Sequence, residues 1–243
     1  MNHREEQNSA NHSDVKRFYD AEYYSGSGIL AALPWHMRSI ARRLGPMEGQ
    51  AVLDVACGTG AWLTELASRG ASVAGIDISS RAVEVCRKRL PDAVIQEGVA
   101  EDLPFESSRF DLVTCLGSLE HFLDQRRALV EMRRVAKDDA RFLILVPNSN
   151  FLTRRLGLYS GTQQTQIKET VRPIAEWKEL LDSAGLKTIE TWRDLHPLSR
   201  SWISKAPVWH WPVRAAQALA LTTWPVAWQY QVYFLCSIRP QGR

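Results

Sequence analysis

Asp77 and the run Asp54-Val55-Ala56-Cys57-Gly58-Thr59-Gly60 have the residue types and spacing that hold a nucleoside. Val52 to Val55 is an apolar strand that enters a glycine-containing turn, and a helical pattern follows at once. A turn that tight at the carboxyl end of a strand leaves backbone N–H groups and a helix N-terminus facing a ligand. Seventeen residues after Gly60 a second apolar strand, Ser72 to Ile76, ends on Asp77. A carboxylate at that point can accept both hydroxyls of a ribose. Together these residues describe a nucleoside-binding half-domain.

Two kinds of cofactor use such a half-domain. A dinucleotide fingerprint needs a small residue three positions after its second glycine, so that the helix can approach a pyrophosphate. That position is Leu63, preceded by Trp62, which argues against a nicotinamide-dependent oxidoreductase. Four segments instead resemble the class I S-adenosylmethionine-dependent methyltransferases: Leu53 to Gly60, Gly75-Ile76-Asp77-Ile78-Ser79, Ala100-Glu101-Asp102-Leu103-Pro104-Phe105 and Phe110-Asp111-Leu112-Val113. They occur in family order and cover roughly residues 50–192, with a last strand near the C-terminus. Ala56 departs from the pattern, since the family usually has glycine there.

The resemblance implies S-adenosylmethionine as cofactor and assigns roles to residues. The turn Ala56, Cys57, Gly58 and Gly60 would meet the amino-acid tail, whose carboxylate favours a helix start. Asp54 would support that region, Asp77 would hold the ribose, and Ile78 would flank the adenine. Ala100 and Glu101, or the adjacent Asp102, would read the adenine edge, where the exocyclic amine is a donor. Leu116-Gly117-Ser118-Leu119-Glu120-His121-Phe122 falls where the family places residues nearest the methyl group, with Leu116 on the cofactor side. This run is similar to that of small-molecule methyltransferases of the ubiquinone-biosynthesis type.

If the acceptor is a hydroxyl, a base must take its proton. His121 is the candidate, because an ordinary imidazole is mostly neutral at pH 7. The alternative is that His121 only packs beside the cofactor. The run Phe18-Tyr19-Asp20-Ala21-Glu22-Tyr23-Tyr24 resembles a segment folded over the cofactor, with Arg38 as a candidate partner for its carboxylate. No His, Cys or carboxylate spacing points to a metal, so none is expected.

The elements that must position these residues alternate as strand and helix, which implies a doubly wound α/β fold. A mostly parallel seven-stranded sheet with helices on both faces is expected, its last strand antiparallel as in the methyltransferase family. Strands are predicted at about 51–56, 72–77, 93–97, 110–116, 141–146, 186–192 and 230–238. A leading helix is predicted from Pro34 to Leu44. Ala82, Val83, Cys86 and Leu90 form one helical stripe, and Ile174, Trp177, Leu180, Leu181 and Ala184 another. Gly70 and Gly185 sit where helices should stop.

Residues 15–243 read as one domain after a disordered tail, 1–14. Two inserts interrupt it, at 147–173 and 193–229. The second holds Trp202, Trp209, Trp211, Trp224 and Trp228, with no acid after Asp194. It is expected to form a cap over the substrate end, since long connections in compact domains are usually functional or disordered. Such a cap favours a small apolar or aromatic acceptor. Arg154, Arg155 and Lys168 of the first insert could meet an anionic group on it.

At 243 residues the chain can bury a sizeable core without staples. A net charge of +3 with scattered basic residues excludes nucleic acid as a partner. Cys57, Cys86, Cys115 and Cys236 lack CxxC spacing and read as reduced thiols of a cytoplasmic protein. No signal peptide is expected. Ala215 to Ile238 runs 24 residues without a charge, but three glutamines, Pro225 and strand-like alternation argue against a membrane span. Peripheral membrane contact by the cap is a minor alternative, and oligomeric state is open. The competing function is a catalytically silent relative that binds the cofactor or a partner.

Overall fold

A computed structural model of the chain describes residues 11–25, 32–155, 157, 169–199, 204 and 207–239. Helix α1 (His12–Ala21) and helix α2 (Trp35–Arg43) lead into the sheet. Strand β1 (Ala51–Val55), α3 (Ala61–Ala67), β2 (Ser72–Asp77), α4 (Ser80–Arg89) and β3 (Val94–Glu97) form the first half. The second half is β4 (Phe110–Leu116), α5 (Gln125–Val135), β5 (Ala136–Pro147), the short α6 (Leu152–Arg155), α7 (Ile174–Ser183), β6 (Leu186–Arg193), α8 (Trp211–Thr223) and β7 (Gln231–Ile238).

The seven strands lie in the order β3-β2-β1-β4-β5-β7-β6. All pair in parallel except β7, which runs antiparallel to both β5 and β6. This is the expected doubly wound sheet. Its strand order reverses between β1 and β4, where the carboxyl ends open a crevice. Near-continuous burial of the central strands matches their apolar runs, as expected for a sheet covered on both faces. Leu53, Val55, Val113 and Ile144 pack on one side with Met132 and Trp177. Val52, Leu112 and Leu143 pack on the other with Ile40, Trp62 and Leu66.

Three details differ from the sequence reading. Strand β5 begins at Ala136, not near 141, because Ala136 pairs with Phe110 and a register shift absorbs the polar Lys137-Asp138-Asp139. The tail expected to be disordered through residue 14 becomes helical at His12. Asn11 caps that helix, accepting the Asp14 N–H at 3.0 Å, and Val15 is buried. The insert 193–229 anchors beside β6 and β7: Asn148 Nδ2 donates to the carbonyls of Ala227 and Gln229, each at 3.0 Å. Among the described residues no helix is long and apolar enough to cross a membrane.

Candidate active site at the crossover of the sheet

The crevice between β1 and β4 holds a cavity of about 500 Å3, a size suited to a small organic ligand. Its floor begins where β1 ends. Ala56, Gly58 and Gly60 all take left-handed backbone conformations, with φ of 62°, 53° and 80°. At Gly58 a Cβ would stand 2.8 Å from the Tyr24 hydroxyl, so glycine lets the tyrosine lie over the turn. At Gly60 a Cβ would run into the Cys86 thiol. Ala56 adopts its conformation despite its Cβ, at a cost of about 1–2 kcal/mol.

The turn is locked to β2. Cys57 N–H donates to the Ile76 carbonyl at 2.9 Å, and Gly58 N–H to Asp77 Oδ2 at 2.8 Å. Ser79 N–H donates to Asp77 Oδ1 at 2.9 Å. Both oxygens of Asp77 thus take backbone amides, and a carboxylate's four acceptor positions leave room for a ligand. Burial pushes the Asp77 carboxyl above the usual carboxylate range, against the pull of those amides.

Asp54 lies opposite Thr114 in the β1–β4 register. The Thr114 hydroxyl donates to Asp54 Oδ1 at 2.5 Å, and Trp62 Nε1 donates to Thr114 Oγ1 at 3.2 Å. Burial raises the Asp54 carboxyl to about 7 despite the hydroxyl.

Helix α1 closes the opposite side. Asp20 accepts from the Ser79 hydroxyl at 2.5 Å and from the Arg81 N–H at 3.3 Å, at the start of α4. Lys16 pairs with Glu97 at the end of β3. These contacts bring Tyr19, Tyr23 and Tyr24 to the cavity wall.

Of the residues singled out from sequence, Asp54, Ala56, Cys57, Gly58, Asp77, Ile78, Ala100, Glu101, Leu116 and His121 all line this cavity. Gly60 does not; it serves the turn and the packing against α4. Asp102 is exposed and outside the lining, so Glu101 is the acid that faces in. Glu101 Oε1 accepts the Asp124 N–H at 3.2 Å, and Oε2 lies 3.4 Å from His12 Nε2.

Other expectations are overturned. Arg38 is exposed, spends its Nε on the Leu33 carbonyl at 3.0 Å and does not itself line the cavity. Arg154 and Arg155 are exposed and do not line it, and Lys168 and Trp202 lie outside the described residues. Trp209, Trp211, Trp224 and Trp228 are also absent from the lining. Trp209 is 73% exposed and Trp211 43%. The covering element is the N-terminal segment, because its contacts with α4 draw it over the crevice while the insert is drawn toward β6 and β7.

Two acids were missed as wall members. Glu120 is 4% exposed, and its Oε2 is buried without a hydrogen-bond partner among the described residues. Burial raises its carboxyl to about 8, with Glu169 adding to the effect. Glu169 arrives from the first insert and lines the same cavity. Its segment is tied down by Thr170 N–H donating to the Glu120 carbonyl at 2.8 Å. No periodicity marks Glu169, though Glu120 stood beside His121 in the run already quoted. His121 Nδ1 is likewise buried without a partner, and burial lowers the imidazole below its ordinary value. Leu33, Pro34, Met37, Phe122, Leu123 and Tyr230 add apolar surface to a wall that also carries Thr59, Ser118 and Gln231.

Known proteins are similar to this chain in sequence and fold. The family described as "Methyltransferase domain" matches residues 53–144. A demethylmenaquinone methyltransferase of Clavibacter sepedonicus is 33% identical over 171 residues, 68% of this chain and 68% of that protein. The O-methyltransferase cnsE of Penicillium expansum is 39% identical over 167 residues, 63% of this chain and 58% of that protein. The fold also matches a Haemonchus contortus phosphoethanolamine N-methyltransferase 2 solved with phosphomonomethylethanolamine and S-adenosylhomocysteine. The TM-score is 0.65 at 19% identity, covering 93% of this chain and 60% of the other. By sequence, fold and the turn that ends its first strand, this chain belongs to the class I S-adenosylmethionine-dependent methyltransferases.

Proposed function

We propose that this protein transfers a methyl group from S-adenosylmethionine to an oxygen, nitrogen or carbon atom of a small apolar or aromatic acceptor. The observation that carries this reading is the Gly58–Asp77 hydrogen bond, which joins turn and carboxylate at the mouth of the crevice. The cofactor supplies an electrophilic methyl group on a positively charged sulfur.

The chain's residues fit that group. The Gly58 and Gly60 N–H groups are engaged by Asp77 and the Cys57 carbonyl, so the backbone N–H groups of Thr59 and Ala61 would meet the tail carboxylate, and carbonyls of the same turn its ammonium. Asp54 supports this region from beneath. The free lone pairs of Asp77 accept the ribose hydroxyls. Ile78 flanks the adenine, and Ala100 with Glu101 reads its edge. Ala56 and Cys57 shape the turn, Tyr24 covers it, and Leu116 lies toward the methyl group.

His121 is the residue that promotes loss of the acceptor's proton. Alignment supplies much of the remaining rate, worth up to about 7–11 kcal/mol where reacting atoms are held in line. Leu33, Met37, Phe122 and Tyr230 support an apolar acceptor, packed under the N-terminal segment rather than under the tryptophan-rich insert. Four buried free cysteines support a reducing, cytoplasmic setting.

Calorimetric titration with S-adenosylmethionine, S-adenosylhomocysteine and NAD tests the reading, with an Asp77→Ala variant alongside. Micromolar binding of both sulfur nucleosides, lost in the variant, is expected. Binding of NAD alone overturns it. Cofactor binding without methyl transfer to any member of a broad acceptor panel favours the catalytically silent alternative.

A further inference from the structure

At the acceptor end of the cavity three donor side chains converge. Single ligand atoms of Glu120, His121 and Glu169 lie within 4.8 Å of one another. This grouping is more than a cluster of acids at a surface. Glu120 is 4% exposed and points an oxygen that has no partner among the described residues. His121 Nδ1 beside it is also buried, with no partner among the described residues. Among the described residues, no ion pair reaches Glu120 or Glu169. A buried carboxylate with nothing to balance it is costly, so such a group holds a proton unless a cation or metal takes the proton's place.

The local fold holds the three together. Glu120 and His121 share one short helical turn after β4. Glu169 reaches them because Thr170 bonds the Glu120 backbone at 2.8 Å and Gln125 bonds the Thr170 carbonyl at 3.4 Å. Arg172 Nε donates to Gln125 Oε1 at 3.1 Å, fastening the segment to the start of α5.

We propose that Glu120, His121 and Glu169 form a divalent-cation site in the wall of the cavity. The site rests on the functional reading above and specifies how His121 acts: as a ligand, through the ion it shares with two carboxylates. Metal–ligand bonds near 2.1 Å place neighbouring ligands about 3–3.5 Å apart, so the three side chains would draw in from their 4.8 Å limit to close the set. One imidazole with two carboxylates suits Mn2+ or Zn2+, and favours these over Mg2+. Three protein ligands leave positions open, which is the pattern of a catalytic metal rather than a structural one.

An acceptor hydroxyl entering an open position ionises more readily, its proton leaving to water. The oxygen then attacks the methyl carbon, and the carbon–sulfur bond breaks with its electron pair passing to sulfur. The products are a methyl ether and a neutral thioether.

The test uses full-length protein freed of any tag and of metal by chelation. Mn2+ is titrated in while the electron paramagnetic resonance signal of the free ion is followed. One saturable site is expected, weakened at least tenfold in Glu120→Gln and, separately, in Glu169→Gln. The second residue is a safer substitution because it is partly exposed, and circular dichroism verifies folding of both variants. Absence of saturable binding overturns the proposal. So does binding that both variants retain unchanged, which marks adventitious surface carboxylates. S-adenosylhomocysteine titrated into the same samples separates the two ideas. Its failure to bind wild type sinks the functional reading, whereas its retention alongside absent Mn2+ binding sinks only the metal site.

Discussion

The Gly58 backbone N–H donates to the Asp77 carboxylate at 2.8 Å, tying the turn after β1 to the end of β2. The same carboxylate also accepts the Ser79 N–H, so one side chain organises both the turn and the start of α4. Removing it strands two amides in a buried place. Asp77→Ala is therefore expected to lower stability by about 1–3 kcal/mol and to weaken cofactor binding at least a hundredfold. Asp77→Asn keeps one acceptor and should recover part of the stability but little of the affinity. Urea denaturation and calorimetry on the same two variants separate these effects.

Ala56 occupies a left-handed backbone position that favours glycine, with φ of 62°. Relieving this strain gains about 1–2 kcal/mol, and the added freedom of glycine in the unfolded chain gives back about 0.5–1 kcal/mol. Ala56→Gly is expected to stabilise the protein by roughly 0.5–1 kcal/mol. A lower urea midpoint in the variant would refute this.

Asp54 carries part of the pH dependence, alongside Glu120, whose buried carboxyl is raised in the same direction. The folded Asp54 carboxyl is raised to about 7, against an ordinary value of 3.8, because burial disfavours the charged form. Between those values the folded state holds a proton that the unfolded state has released, so stability falls as pH rises from about 4 to 7. Asp54→Asn removes that ionisation while its amide oxygen still accepts from Thr114. The variant is expected to gain about 2–4 kcal/mol relative to wild type at pH 8, with no such electrostatic gain near pH 4. Chemical denaturation across this range checks the slope, and a variant parallel to wild type would exclude Asp54 as its source.

The half of the fold that binds the nucleoside was legible because its signals are local. An apolar run, a turn at Gly58 and Gly60, and an acid closing the next strand need no distant partner to be recognised. Glu169 was not legible, since only the packing of a polar insert against Glu120 and Gln125 brings it to the cavity. The early start of β5 was hidden because Lys137-Asp138-Asp139 has turn composition, and a register shift against Phe110 carries it into the sheet. The tryptophans of 193–229 misled for a related reason. Composition reports that a segment is apolar, but hydrogen bonds such as those from Asn148 decide where it lies.

The exchange of one cover for another has its own consequence. Tyr24 lies over the turn, its hydroxyl 2.8 Å from where a Gly58 Cβ would stand, while Trp209 is mostly exposed and absent from the lining. Covering a polar turn excludes water and strengthens every hydrogen bond made there. Tyr24→Ala is expected to weaken S-adenosylmethionine binding about tenfold, a change of about 1.4 kcal/mol. Trp209→Ser should leave that affinity within about twofold, because surface substitutions remote from a site rarely change energies by more than about 0.5 kcal/mol. Calorimetric titration of the two variants side by side decides which element is the lid. A loss in Trp209→Ser with none in Tyr24→Ala would return that role to the insert between β6 and β7.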